Sequence, residues 1–597
     1  MSRGKHRRSH FAALKAKMRS NWKSIVFFVL ITMVYFSRAF FLESDPPPWG
    51  LVTYQPIDEG IYANLALNMV NFGSIDPNDY YGEQYEYLMQ SHVICDVVGN
   101  LFTGVTLAIF GDNYFGLRMG VVCAGYLVLI LFCLTIAELR KAYGAKEPSA
   151  ALMALFLILT LLASFIFFNA TKVVEPSIFR LLLVQVVVFC LVKADISIKA
   201  RGFLVGFFVF VSIFLVYVTN LFLGIPVLAY AAFVLATQGK RRGASFILFG
   251  LAGALLAYAI AAAYYWFCWD TTPIANAINS VLIFESSGQS ADAYAVGLGN
   301  SLRNIRAFFI SNAMFYVLPI AAIVFICFIP LFKKACKPTG GPILVLLMTV
   351  VGFFAQTIMS DDFVLRKSII IFPTLLLLFF CVFLWVMKLN EGKVAISKKI
   401  LLCAASAIAL AIAVYATYYR LFRANSPTFT RLDYSEMDIL VLVAACVVAV
   451  VIILVFLMGM LENNRKAALG SLFASVLICI ALNVCMVLQY NVFNQTYEEK
   501  EVMIKLGEVA DGKVIAGEYE NGFTLYNDIL PLLHHEKTLA GYMKENHDLL
   551  YFDYANAGSF SKDPESVYQQ IREVERFERA YQTFGKKRSV ALYEFDE

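Results

Sequence analysis

Tyr54-Gln55-Pro56-Ile57-Asp58-Glu59-Gly60-Ile61-Tyr62-Ala63 sets two adjacent acids just beyond the first long apolar run of the chain, about residues 24–42. Two carboxylates at the water edge of a bilayer add little packing. They suit proton transfer and the orientation of a partner. The rest of the chain decides whether a bilayer is there. Its 597 residues are 59% hydrophobic and 16% charged, with a mean hydropathy of +0.68, whereas soluble domains carry about 25% charged residues. Apolar runs of about 18–24 residues recur, the length a helix needs to cross the hydrocarbon core. They lack the two-residue alternation of barrel strands, and in lipid only helices or closed barrels satisfy their backbone polar groups. The expected fold class is an all-α polytopic membrane protein.

The net charge of +5 matters less than its placement. Lys and Arg cluster at Arg3 to Lys23, Arg140/Lys141, Lys193 to Arg201 and Lys240-Arg241-Arg242, then at Lys333/Lys334/Lys337, Lys388 to Lys399 and Arg465/Lys466. Alternation with apolar runs fits the positive-inside rule, and excludes a nucleic-acid patch as the simpler account. The 12 cysteines stand mostly alone inside apolar runs, as Cys123, Cys190, Cys381 and Cys479 do, with no metal-ligand spacing and no disulfide framework. The first run is too long for a signal h-region and has no small-residue cleavage site, so it reads as a retained signal-anchor helix.

With a basic cytoplasmic tail at 1–23, spans are expected at about 24–42, 114–138, 149–168, 176–193, 202–219, 221–237, 244–267, 313–332, 341–358, 368–388, 400–418, 438–461 and 467–488. That makes about thirteen, forming a transmembrane domain over 24–490. Every basic cluster then faces the cytoplasm, and the C-terminal region faces the opposite side. His92–Phe110 is nearly long enough to span, yet it carries Asp96, Asn100, Thr103 and Thr106, which are costly at bilayer depth. It reads instead as an interfacial helix in a first outer loop, 43–113. Residues 60–72, with Ile61, Leu65, Met69 and Phe72 on one face, read as a second. Over 495–597 the long apolar runs stop and charge density rises. Lys513–Ala516, Leu549–Tyr554 and Ser589–Phe595 read as strands, and the charged stretch Pro564–Phe584 as helix-like, giving a small extracytoplasmic α/β domain.

The outer loops hold the candidate site. Asp58 and Glu59 lie in the first loop, and Glu175-Pro176 opens the fourth span. The loop near 268–312 carries Asp270, Glu285, Asp292, Arg303 and Arg306, and a short one reads Asp361-Asp362-Phe363-Val364-Leu365-Arg366-Lys367 before Pro373. Acids from two loops facing cations from two others suit an anionic lipid-linked substrate and a hydroxyl to be activated. Each residue also has a plainer reading. Asp58, Glu59 and Glu175 would cap helix starts, and Arg366, Lys367, Arg303, Arg306 and Arg118 would anchor at headgroups.

Asp58-Glu59-Gly60-Ile61-Tyr62-Ala63 resembles the Asp-Glu-x-x-Tyr-Ala signature of GT-C membrane glycosyltransferases, in particular protein O-mannosyltransferases and the aminoarabinose transferases that modify lipid A. Leu107-Ala108-Ile109-Phe110-Gly111 and Phe115-Gly116-Leu117-Arg118 are similar to the family's lead-in to the second span. Glu175-Pro176 looks like its acid at the outer start of the fourth span, and Arg366-Lys367 before Pro373 resembles its Arg-Tyr … Pro segment. The chain departs from the family at Gln90-Ser91-His92-Val93, where His-Pro-Pro or Lys-Pro-Pro is common; His92 would keep part of that role.

The resemblance implies a polyprenyl-phosphate sugar donor, a glycan, lipid or protein acceptor, and membrane lipid as the surrounding partner, with no nucleic acid. It implies Asp58 as general base, Glu59 as an orienting acid, and Arg366, Lys367, Arg303 and Arg306 on the donor phosphate. No cofactor is expected beyond the lipid-linked sugar as co-substrate. Part of the family holds a divalent cation on carboxylates, but the first loop has no Asp-x-Asp, so metal-free transfer is favoured. The membrane expected is a bacterial plasma membrane. The rival class is a transporter or flippase of a lipid-linked or anionic substrate. It would place charges at mid-span and repeat its halves, and the sequence shows neither pattern.

Overall fold

The computed structural model describes residues 22–45, 56–71, 96–269, 341–359, 365–388, 451–462, 464–493, 495–510 and five strands between 514 and 595, with short pieces besides, among them 272–275, 330–334 and 525–527. Helices dominate: α1 (Trp22–Phe36), α2 (Pro56–Asn71), α3 (Val97–Phe110), α4 (Tyr114–Tyr143), α5 (Pro148–Ala163), α6 (Phe165–Ala170) and α7 (Pro176–Val192). There follow α8 (Ile198–Phe214), α9 (Gly224–Gln238), α10 (Lys240–Trp269), α11 (Gly341–Met359), α12 (Phe372–Met387), α13 (Arg465–Val487) and α14 (Glu498–Ala510). Among the described residues, five helical stretches are long and apolar enough to cross a bilayer: Tyr114–Tyr143, Val218–Gln238, Lys240–Cys268, Ser368–Met387 and Arg465–Ala510. The chain is an integral membrane protein. Expected span 400–418 lies outside the described residues, as do most of 313–332 and the first half of 438–461.

Local chemistry sets the boundaries. Pro148 and Pro176 sit in the first turns of α5 and α7, where a missing N–H costs nothing. The side chains of Asp96, Asn113 and Ser197 accept from Gly99, Gly116 and Ala200 N–H at the starts of α3, α4 and α8. Nearly all of α12 is buried, making it the central helix, whereas α10 exposes Leu248, Leu251, Leu255 and Phe267 at the periphery. Helices α8 and α10 meet backbone to backbone: a Cβ on Gly206 would lie 1.9 Å from Gly250 O, and one on Gly202 2.3 Å from Phe246 O. Only glycine permits that approach.

The structure revises four expectations. Helix α2 begins at Pro56, so Asp58 and Glu59 lie inside its first turn rather than in a loop before residue 60. Helix α3 starts at Val97 and turns Asp96, Asn100, Thr103 and Thr106 inward, leaving Leu101, Val105 and Ile109 exposed. The polar set is therefore bonded within the protein; Asn100 Oδ1, for example, accepts from Ala66 N–H at 2.9 Å. The span expected over 149–168 breaks at Ser164, whose hydroxyl accepts from Phe167 N–H and restarts the chain as α6, while Asn483 Oδ1 takes Phe165 N–H at 2.9 Å. Last, Ile571–Thr583 is a strand, not a helix. It pairs antiparallel with Lys586–Phe595, with irregularities at Glu573/Glu575 and Arg579/Gln582. Its dense Glu and Arg read as helix-like in the sequence, but in an edge strand the same charges discourage further pairing.

The sheet runs β2-β1-β3-β5-β4, built from β1 (Val514–Gly517), β2 (Leu530–Leu533), β3 (Leu549–Asp553), β4 (Ile571–Thr583) and β5 (Lys586–Phe595). Strand β1 is parallel to both β2 and β3, and β5 is antiparallel to β3 and β4.

Candidate active site

Glu59 is locked in place. Its carboxylate receives Arg118 Nε and Nη2 at 2.8 and 2.6 Å, a two-pronged ion pair with the Arg118 side chain fully buried. Val174 N–H adds a third bond at 2.9 Å. Arg118 Nη1 donates to the carbonyls of Leu42 and Ser44 at 2.7 and 2.9 Å, and its guanidinium lies 3.7 Å from the centre of the Tyr114 ring. One arginine therefore ties together the exit of the first helix, the first turn of α2, the mouth of α4 and the α6–α7 connection. Only a planar fork of donors can bond several acceptors in fixed directions this way.

A second cation extends the cluster. Lys172 is 2% exposed and donates to Ser44 Oγ and Asp45 O at 2.7 and 2.6 Å. Burial, reinforced by the Arg118 charge, pushes the Lys172 ammonium down to about 7. The Asp45 carboxylate points the other way and accepts from Thr496 Oγ1, Glu498 N–H and Glu499 N–H at 2.7, 2.8 and 3.1 Å. It thus caps α14 from a residue more than 450 positions earlier, by the logic of an ordinary N-cap. Tyr114 N–H donates to Tyr526 Oη at 2.9 Å and Lys500 pairs with Glu43 at 2.6 Å. The C-terminal segment is bonded to the same elements that hold Glu59.

Beside this network lies a second buried group. Asp96 caps α3 through Gly99 N–H at 2.8 Å. Burial raises the Asp96 carboxyl well above the usual range, and the charge of Glu175 adds to the rise. Glu175 takes the N-cap position of α7 without a side-chain cap bond, and is 6% exposed. Arg180, one turn on, donates to Asn220 Oδ1 and Thr219 Oγ1 at 3.0 and 2.7 Å. The turn Leu365–Ile370, which carries Arg366 and Lys367, packs against both α6 and α7, the elements flanking Lys172 and Glu175. The start of α2, Glu175 and the backbone of that turn are thus gathered at one end of the bundle. The side chains of Asp58, Arg366 and Lys367 lie outside the described residues, as do His92, Arg303 and Arg306 altogether. Among the described residues, no three His, Cys, Asp or Glu side chains form a group that could hold a metal ion.

The opposite end of the bundle is basic. Lys388 donates to Tyr143 O, the Lys334 ammonium lies 5.0 Å from the Tyr143 ring, and Lys141 pairs with Asp195 at 2.8 Å. Arg118 and Arg140 are 22 residues apart on α4, which at about 1.5 Å of rise per residue is roughly 33 Å. That is close to the thickness of a bilayer's hydrocarbon core.

Sequence comparison finds no matching family model and no matching curated protein. Comparison of folds is different. The crystal structure of ArnT from Cupriavidus metallidurans bound to undecaprenyl phosphate superposes with a TM-score of 0.55 at 14% identity, covering 96% of this chain and 98% of that one. Its apo state gives 0.55 at 15% identity with the same coverage. The chain shares the fold of ArnT.

At such identity the likeness carries the architecture and leaves the chemistry to this chain's own residues. Several of them escaped the sequence reading. Asp45, Lys172 and Arg180 were not singled out, although Lys172 and Arg180 are charges beside or within apolar runs, a signal that can be read. Arg118 was noted, but its partner could not be. Glu59 reads in the sequence as an orienting acid, for the acceptor or for the backbone of its loop, and the structure commits its carboxylate to Arg118 and Val174.

Proposed function

We propose that the protein is an integral membrane glycosyltransferase that moves a sugar from a polyprenyl-phosphate donor to an acceptor hydroxyl at the non-cytoplasmic membrane face. The observation that carries this reading is the locked Glu59 in the first turn of α2, within a fold shared with ArnT. An acid fixed by three donors is a poor base and a good anchor. It holds the turn in which its neighbour Asp58 sits. Asp58 is the residue to accept the acceptor's proton as its oxygen attacks the anomeric carbon. The bond from that carbon to the phosphate breaks as the new glycosidic bond forms, giving inversion in one displacement, and the polyprenyl phosphate leaves with its charge increased. Fixed cations must meet that charge. Arg366 and Lys367 are assigned to it first, then Arg303 and Arg306, with Glu175 and His92 at the substrate.

In this reading the chain makes about thirteen spans over 24–490 in a bacterial plasma membrane. The 1–23 tail is cytoplasmic, and 495–597 is an extracytoplasmic domain over the site. The bound lipid of the ArnT structure, undecaprenyl phosphate, supports a polyprenyl phosphate as the carrier. The test is incubation of purified protein with a panel of radiolabelled polyprenyl-phosphate sugars and acceptor-containing membrane extract. Transfer of label from at least one donor is expected. Absence of transfer from every donor, with solute-dependent flux in proteoliposomes, would replace this reading with the transporter.

A further inference from the structure

Between α1, α4 and α5, at the basic end of the bundle, lies a cleft of about 370 Å³, within the range of roughly 300–1,000 Å³ common for ligand sites. Its walls are apolar, formed by Phe27, Phe28, Leu134, Ala151 and Leu155 among others, and among the described residues Arg140 is the one cation on its lining. Phe27, Phe28, Leu134 and Ala151 are exposed, so the cleft opens sideways, toward lipid. Arg140 Nε is buried there with no hydrogen-bond partner among the described residues. Two of the described acids at this end face Lys141: Asp195 pairs with it, and Glu138 lies beside it. The segment that leads into α1 cannot neutralise Arg140 either, because residues 1–23 hold eight Lys and Arg and no Asp or Glu. An orphaned buried guanidinium N–H is expensive, and an apolar trough ending in it asks for an occupant with an alkyl body and an anionic head.

We propose that this cleft is a binding site for an anionic glycerophospholipid of the leaflet at the basic end. An acyl chain lies along α1 and α5, and the headgroup phosphate accepts from Arg140. The surrounding lysines at this end add long-range attraction for the same headgroup. The site is roughly a membrane's thickness from the Glu59–Arg118 network, so it does not depend on the glycosyltransferase reading.

The experiment reconstitutes the full chain with equimolar phosphatidylglycerol and phosphatidylcholine, then counts retained lipids by native mass spectrometry. Wild type should retain phosphatidylglycerol in preference. Arg140→Gln should lower the ratio of the two by about tenfold, the scale of one charge-assisted bond, and Arg140→Lys should lower it less. Ala151→Phe, which puts a ring at the mouth of the cleft, should reduce retention of both lipids. A ratio unchanged in Arg140→Gln, or full retention in Ala151→Phe, overturns the proposal.

Discussion

Removing the Arg118 guanidinium is the most searching perturbation of the network. In Arg118→Met the Glu59 carboxylate keeps one of its three donors, Val174 N–H, and the carbonyls of Leu42 and Ser44 lose theirs. Glu59 is 2% exposed, so water cannot replace the lost bonds. Breaking a buried ion pair from one side costs about 3–5 kcal/mol. Glu59→Leu leaves the opposite orphan, a buried guanidinium, at similar cost. The double variant Glu59→Leu/Arg118→Met leaves neither charge, so it should be more stable than the sum of the single losses by about 3 kcal/mol. The assay is denaturant unfolding of the detergent-solubilised protein, monitored by tryptophan fluorescence, for the four members of the cycle. Single losses that simply add, or that each fall under about 1 kcal/mol, would refute the claim that this pair holds the start of α2.

Other tests address neighbouring elements. Lys172, depressed to about 7 by burial and the Arg118 charge, is largely neutral in the folded protein above that pH but still protonated in the unfolded chain until about 10. The unfolded state therefore binds more protons between these limits, and stability should rise by about 2 kcal/mol from pH 7 to pH 9. Lys172→Met should flatten that rise, and an equal slope in both proteins would contradict the assignment. Asp45→Ala removes the cap of α14, worth about 1 kcal/mol, so amide exchange over 498–510 should quicken; unchanged protection would show that the cap does not hold the helix. Gly206→Leu drives a side chain into the α10 backbone and should cost about 1–3 kcal/mol or more. Gly224→Ala, whose Cβ would meet nothing within 4 Å, should stay within about 0.5 kcal/mol of wild type.

Apolar run length alone was enough to read most of the helices, because a span must be both long and apolar. What run length could not convey is where a run is interrupted. The break at Ser164 rests on one hydroxyl and on Asn483, more than 300 residues away. The polar face of α3 was visible as Asp96, Asn100, Thr103 and Thr106, but its direction depends on what it packs against. The Asp58-Glu59 pair was legible as a feature, while the separate fate of Glu59 was not, since Arg118 and Val174 meet it only in space. The strand Ile571–Thr583 was misread for a local reason. Its charges recur without the clean alternation of a half-buried strand, and only pairing with Lys586–Phe595 distinguishes it from a charged helix.

The decisive measurement compares initial rates of sugar transfer from the active polyprenyl-phosphate donor for wild type and Asp58→Asn, with matched unfolding midpoints to show that both are folded. Loss of a positioned general base should lower the rate by about 10²–10⁴-fold, with donor binding retained. Transfer by Asp58→Asn at the wild-type rate would contradict the account.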